Sequence, residues 1–234
     1  MIDFHSHFLP KIDDGSKSRE ESLKMLTLSK SYGIDTMVAT PHFYIKRNSI
    51  DKFLEKRSAS YEALKEKLPD DGSVPEIVLG AEVYYFNGIS GAESLEKLCI
   101  GETSYMLLEM PFEQWSEKVL RDVTNIISTR NITPILAHIE RFIPYQEDMS
   151  VMNEMLTLDL YVQMNAEYIN GFFTRRNALN LIRENTVQLL GSDCHNMEKR
   201  KPNLDKAFSI VEKKLGKSTL ERMDTLGRRI LGIH

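Results

Sequence analysis

The sequence predicts an α/β fold, a parallel sheet of seven strands curled into a barrel and covered by helices. Three observations carry this reading. Short apolar runs alternate with amphipathic stretches along the chain, the order expected of β/α units. The runs are continuously apolar rather than alternating, which fits strands buried on both faces. Polar residues in those runs sit almost only at their C-terminal ends. Catalytic groups gather at that face of an α/β barrel, and ligands bind beyond strand C-termini in an open sheet. A ring of candidate ligands from nearly every strand favours the closed barrel, because an open sheet would spread them too far apart.

Each element has a local reason. Ile2-Asp3-Phe4-His5 is the first strand and runs into Ser6-His7. Residues i and i+2 of an extended segment share a side, so both imidazoles can face one point. Phe8 to Gly15 is a loop with strong turn chemistry. Ser18-Arg19-Glu20-Glu21 is a capping box, and the helix it opens carries Leu23, Leu26 and Thr27 on one face before stopping at Gly33. Asp35 to Thr40 is the second strand, ending in Pro41-His42. Apolar spacing predicts a helix over 49–68. Ile77 to Glu82 is the third strand and ends in a carboxylate. A short helix over 94–98 precedes the strand Tyr105 to Glu109, which also ends in a carboxylate. An amphipathic helix over 116–129 leads to the strand Pro134 to His138. A helix over 151–158 leads to Tyr161-Val162-Gln163-Met164-Asn165, and one over 174–184 to the last strand, Val187 to Asp193, followed by Cys194-His195. Helices over 204–215 and 218–231 close the chain.

With 234 residues, 41% of them hydrophobic, the chain can bury a real core. No linker or low-complexity stretch divides it, so residues 1–234 read as one domain. A formal net charge of −4 gives no electrostatic case for general nucleic-acid binding. Cys99 and Cys194 form neither a zinc knuckle nor a disulfide framework. The N-terminus lacks the basic region and long apolar run of a signal peptide, and no run reaches the roughly 18 apolar residues of a membrane span. A cytoplasmic protein without membrane insertion is expected.

The strand ends supply His5, His7, His42, Glu82, Glu109, His138, Asp193 and His195, and the first loop adds Asp14. Any one of these histidines could be a hydrogen-bonded residue at a strand end. Five of the six histidines in one such set is a poor fit to chance, which would also scatter them over helix surfaces. The sixth, His234, is expected to be exposed. Oxygen and imidazole donors without thiolate suit Mn²⁺, Fe or Zn²⁺. A carboxylate such as Glu82 can bridge two ions about 3.5–4 Å apart, as in two-metal hydrolases. Arg141 lies three residues past His138 and Arg200 five past His195, so both can project over the same mouth. Guanidinium suits phosphate oxygens. Cys194 to Arg200 also fits C-x5-R, the thiolate phosphatase pattern, but Met197 and Glu198 suit a phosphate-wrapping loop poorly. Strand alternation also turns Cys194 away from the face that Asp193 and His195 share.

MIDFHSHFLPKIDDG, TPH, GAE, LLEMP, ILAHIERF and GSDCHNMEKRKPNL, taken in order, resemble the motifs of PHP-domain (polymerase and histidinol phosphatase) phosphatases. Within that family they are most similar to the bacterial manganese-dependent protein-tyrosine phosphatases of capsule and exopolysaccharide operons. The likeness runs from the first residue to about Leu204. Two positions depart from it: no proline follows His138, and Cys194 stands where a small residue is usual. The resemblance implies a distorted seven-stranded barrel with a trinuclear metal centre. One metal would take His5, His7, Glu82 and Asp193; a second would share Glu82 and take Glu109 and His138; a third would take Asp14, His42 and His195. It implies Mn²⁺, with Fe or Zn²⁺ as alternatives, and gives Arg141 and Arg200 to phosphate binding and transition-state charge. The implied activity is hydrolysis of phosphotyrosine, on the tail of a bacterial tyrosine autokinase, by metal-activated water. Histidinol-phosphate phosphatase is the alternative within the family. A non-catalytic kinase-binding scaffold predicts eroded ligands, which the sequence does not have. An amidohydrolase barrel would usually carry a bridging lysine where Glu109 stands.

Overall fold

In the computed structural model, which describes residues 1–233 and so leaves His234 outside, local sequence signals and elements agree closely. Strand β1 is Ile2–Ser6 and helix α1 is Arg19–Ser31. Ser18 caps α1, its hydroxyl accepting from Glu21 N at 3.1 Å, while the Glu21 carboxylate accepts from Lys17 N rather than closing on Ser18. The remaining strands are β2 (Thr36–Ala39), β3 (His42–Phe43), β4 (Glu76–Leu79), β5 (Glu82–Tyr84), β6 (Tyr105–Glu109), β7 (Thr133–Leu136), β8 (Tyr161–Asn165) and β9 (Leu189–Gly191). The remaining helices are α2 (Ile50–Lys65), α3 (Glu117–Arg130), α4 (Ser150–Met155), α5 (Ala166–Asn170), α6 (Arg175–Arg183), α7 (Leu204–Leu215) and α8 (Lys217–Leu231). The short α5 was not anticipated, and the predicted helix over 94–98 is a 3-10 turn, Leu95–Leu98.

All strand pairs are parallel. They form a curled sheet, but not the single seven-stranded ladder expected. Hydrogen bonding divides it into β1-β2-β4 and the six-stranded β3-β5-β6-β7-β8-β9. The division falls at Thr40-Pro41, where the predicted second strand ends, and at Gly80-Ala81, inside the predicted third. Pro41 has no N–H to give a ladder. Beyond β9 the chain runs beside β1, with a bridge at Ser6 and Cys194 and bonds from Asp193 N to His5 O (2.7 Å) and His7 N to Cys194 O (2.8 Å).

Two apolar clusters hold the sheet. The larger packs helix faces on the strands, with Met25, Leu26, Phe53, Val123, Ile126 and Ile182 buried against Met37, Leu108 and Met164. The smaller gathers Ile2, Phe4, Val38, Leu107, Ile135 and Leu189 with Ile230 and Leu231 of α8. The β1–β2 register shifts between Asp3 and Ser6, and within that irregular span the chain passes from Phe4 in this cluster to His5 in the polar site. Gly227 of α8 lets the helix lie close on Phe4: an added Cβ would stand 2.7 Å from its ring. No helix among the described residues is long and apolar enough to cross a membrane.

Candidate metal centre

The parallel register sets the site. His42 is paired with Glu82 across β3 and β5, and Glu109 follows on β6 opposite Tyr84. His5 and His7 come from β1 and the residue just past it, His138 from two residues past β7, and Asp193 and His195 from beyond β9. Donor atoms gather in overlapping groups: His5, His7 and Asp193; His5, Glu82 and His138; His42, Glu82 and Glu109; His7, His42 and His195; Asp13, Asp14 and His42. All nine residues singled out in the sequence are therefore brought together. Asp14 is the outlier in exposure, with 69% of its side chain open, yet its Oδ1 is 3.4 Å from His42 Nε2 and 3.8 Å from His195 Nε2. His138 and Asp193 adopt positive φ, 28° and 51°, which is uncommon for side-chain-bearing residues and recurs at functional sites.

The imidazoles are aimed by groups behind them. His7 Nδ1 donates to Asp13 Oδ2 at 2.8 Å, His5 Nδ1 to Gln163 Oε1 at 3.1 Å, and His195 Nδ1 to the Asp193 carbonyl at 2.9 Å. With Nδ1 so engaged, each ring turns Nε2 toward the centre, the usual arrangement behind a metal-ligating histidine, and the Nε2 atoms of His5 and His7 lie 3.1 Å apart. Asp13 also accepts from His42 N, and Asn165 Nδ2 donates to Asp193 Oδ2. Asp13, Gln163 and Asn165 were not singled out in the sequence. The signal was present: Gln163 and Asn165 are alternate polar residues ending an otherwise apolar strand. Gly15 holds the Asp13-Asp14 loop against the site, since a Cβ there would collide with the His7 carbonyl.

The electrostatics describe carboxylates and imidazoles sharing protons. Burial disfavours charge on His42, but Asp14 and Glu82 outweigh it and hold the ring's pKa up to about 11. Burial likewise opposes a charged His7, while Asp13 and Glu82 raise it to about 9. Glu82 resists burial because His5, His138 and His42 surround it, and it stays ionised well below the usual range. Glu109, buried beside that charge, is pushed up to about 8. Burial and the neighbouring His7 drive His195 down to about 4, so it stays neutral.

Both predicted arginines reach the site. Arg141 Nη2 is 2.6 Å from Asp193 Oδ2, and Arg200 Nη2 is 2.8 Å from Asp193 Oδ1. Cys194 is fully buried, and burial holds its thiol far above its ordinary range. The backbone N–H groups of Glu198, Lys199 and Arg200 all donate to Asn196 Oδ1. The C-x5-R stretch therefore offers neither a thiolate nor free amides for phosphate.

A divalent cation fits this donor set. Glu82 Oε2 lies 2.7 Å from His42 Nδ1 and 3.3 Å from the Nε2 atoms of His5 and His7, yet makes no hydrogen bond of acceptable geometry. Glu109 Oε2 and His195 Nε2 are also buried without hydrogen-bond partners, and His138 turns its Nε2 to Glu82 Oε1 at 2.8 Å. Buried polar atoms are normally satisfied, and such a cluster suits a cation that accepts several lone pairs at once. Residues 1–227 match the family described as capsular polysaccharide synthesis, CpsB/CapC. The chain belongs to the CpsB/CapC family. Curated relatives include the tyrosine-protein phosphatase CpsB of Streptococcus pneumoniae, 28% identical over 225 residues, 92% of this chain and 91% of that one. The tyrosine-protein phosphatase YwqE of Bacillus subtilis is 28% identical over 228 residues, 92% of this chain and 85% of that one. Among solved structures, one from a study of B. subtilis YwqE and S. pneumoniae CpsB, described as metal-dependent tyrosine phosphatases, superposes with a TM-score of 0.86 at 23% identity, covering 99% of this chain and 94% of that one. The inactive dihydroorotase-like domain of a Chaetomium thermophilum multifunctional protein gives a TM-score of 0.56 at 10% identity, covering 100% and 79%. These structures share the fold with this CpsB/CapC member.

Proposed function

We propose that the chain is a metal-dependent phosphomonoesterase that hydrolyses phosphotyrosine on a protein, the tail of a bacterial tyrosine autokinase controlling capsule or exopolysaccharide synthesis. The observation that carries this reading is the convergence of His5, His7, His42, His138 and His195 on Asp14, Glu82, Glu109 and Asp193. It is supported by membership of the CpsB/CapC family and by curated relatives named tyrosine-protein phosphatases. One divalent ion would be held by His5, His7, Glu82 and Asp193, a second by Glu82, Glu109 and His138, and a third by Asp14, His42 and His195. Mn²⁺ is the expected metal, with Fe or Zn²⁺ the alternatives. Such ions make water a nucleophile near neutral pH and screen charge on phosphoryl oxygens.

The chain's own groups do the rest. Asp13 and Gln163 fix the His7 and His5 rings, so the donors are arranged before substrate arrives. Arg141 and Arg200 turn from Asp193 to the phosphoryl oxygens, where charge-assisted pairs stabilise charge that grows as the ester breaks. The same reading takes residues 1–234 as one cytoplasmic domain and its seven strand segments as one distorted ring, supported by the Ser6–Cys194 bridge.

The test is phosphate release from a phosphotyrosyl peptide and, separately, from histidinol phosphate, with metal content measured on the same sample. Release from the peptide, lost on chelation, is expected. Release from histidinol phosphate alone would overturn the protein substrate. Release from neither, with metal bound, would point to the non-catalytic scaffold.

A further inference from the structure

Two tyrosines stand one pleat beyond two of the proposed ligands. Tyr44 follows His42 at i+2, and Tyr84 follows Glu82 at i+2. His42 and Glu82 are partners in the parallel β3–β5 pair, so the tyrosines are neighbours as well. Their ring centroids are 5.4 Å apart, and Tyr44 is 5.4 Å from the His42 ring. Tyr84 stands two residues of strand rise, roughly 6.6 Å, beyond Glu82 along β5, while Tyr44, just past β3, lays its ring beside His42 with its Oη 3.5 Å from His42 Nδ1. Both are half-buried, and the guanidinium of the exposed Arg47 lies 4.6 Å over the Tyr44 ring. A cleft of about 360 Å³ opens beside the pair, walled also by Lys46, Phe86, Pro111 and Glu113. That volume falls within the roughly 300–1,000 Å³ of ordinary ligand sites. The hydrolysis derived above gives neither ring a role.

We propose that Tyr44 and Tyr84 form an aryl-binding platform that makes the site prefer phosphotyrosine over phosphoserine and phosphothreonine. The proposal rests on the phosphotyrosine reading above. In an aryl ester the ring is joined directly to the ester oxygen. A phosphoryl group held among the ligands therefore places that ring in the layer the tyrosines occupy. An alkyl ester places a tetrahedral carbon and peptide backbone there, with no flat face to pack. Offset and edge-to-face contacts between rings are the favoured geometries. The tyrosines act on choice of substrate, while the bond is broken among the ligands and arginines.

The test uses metal-loaded full-length protein and the variants Tyr44→Ala, Tyr84→Ala and their phenylalanine counterparts. Calorimetry reads affinity for a peptide bearing a non-hydrolysable phosphonate analogue of phosphotyrosine, beside affinity for inorganic phosphate. Kinetics compare matched phosphotyrosyl and phosphoseryl peptides. Each alanine variant should weaken the aryl peptide on the order of tenfold, mainly in KM. For Tyr84, which makes no hydrogen bond to a ligand, phosphate affinity and metal content should be unchanged; for Tyr44, whose Oη lies 3.5 Å from His42 Nδ1, metal content is measured on the same sample and affinity is compared per metal-loaded site. Phenylalanine should preserve the wild-type preference. Leucine keeps apolar bulk without a π-face and covers the case of an alanine variant that fails to fold; it too should lose aryl preference. Alanine and leucine variants with wild-type selectivity would overturn the platform while leaving the phosphatase reading in place. Wild-type protein that binds metal but acts on neither peptide would overturn that reading, and the platform with it.

Discussion

Asp193 is where both guanidinium groups meet, one on each carboxylate oxygen. Asn165 adds a third bond, and the Nε2 atoms of His5 and His7 lie 3.6 and 3.5 Å from Oδ1. So loaded a residue couples charge balance to geometry. Arg141→Ala or Arg200→Ala should each lower kcat/KM by on the order of 10²–10³ with metal content unchanged, the scale of removing one transition-state donor. Lysine should restore only part of the loss, because it keeps charge without the planar fork. Turnover at the wild-type rate in both alanine variants would return the arginines to the surface. Cys194→Ser should keep most of the activity, checked on the same peptide with folding and metal content measured; a collapse of rate would revive the thiolate mechanism. At this scale the ligand residues were legible because charged side chains at the ends of apolar runs need a reason to be there. Asp13 was hidden by its neighbour: Asp13-Asp14 reads as turn chemistry, and only the chain path shows Asp13 behind His7 and Asp14 out at His42.

Among elements, β9 matters more than its three residues suggest. Gly191 lies where a Cβ would stand 2.5 Å from His5 Cβ and 2.8 Å from Gln163 Nε2. Gly191→Ala should therefore push β1 and β8 off β9, destabilise by about 1–3 kcal/mol as overpacking does, and lower metal content. Thermal unfolding with metal analysis checks both; an unchanged melting point and full metal content would show that the contact yields. Helix α3 is tied to the segment after β5 through Asp122, which accepts from Tyr85 Oη at 2.7 Å, Lys118 Nζ at 3.0 Å and Gly88 N at 3.2 Å. Burial opposes its charge, but Tyr85 and Lys118 win and hold its carboxyl below the ordinary range. A depressed carboxyl stabilises the fold above its unfolded pKa of about 3.9, and that contribution is lost as pH falls through the lower folded value. Asp122→Ala should cost about 1.5–3 kcal/mol near neutrality, with the gap to wild type narrowing in acid. A gap that stays constant down to pH 2 would remove the assignment. Strand and helix order was readable from periodicity, and β6 and β8 fell on the predicted residues. The break at Gly80-Ala81 was not, because the predicted strand runs straight through it; Pro41 marked the end of the second strand, but only hydrogen bonding shows that His42-Phe43 pairs in a second ladder.

Over the whole molecule the prediction is of metal dependence. Chelation should abolish activity and Mn²⁺ or a similar ion restore it, and Glu82→Ala should be among the most damaging substitutions because its carboxylate faces His5, His7, His42 and His138 together. Full turnover by metal-free protein would end the metal reading. The curled parallel architecture could be argued from sequence because each strand end pointed the same way; how the first and last strands meet could not, because that contact spans nearly the entire chain. Ser192 N and Oγ donate to Asp3 across a separation of 189 residues. That distance has a consequence for biosynthesis. A ribosome that has made His5 and His7 must add every residue up to His195 before the ligand set is complete. Shorter nascent chains carry some ligands but lack the strand that seats the first one. On the proposed reading, the full ligand set therefore exists only once the segment through His195 has paired beside β1.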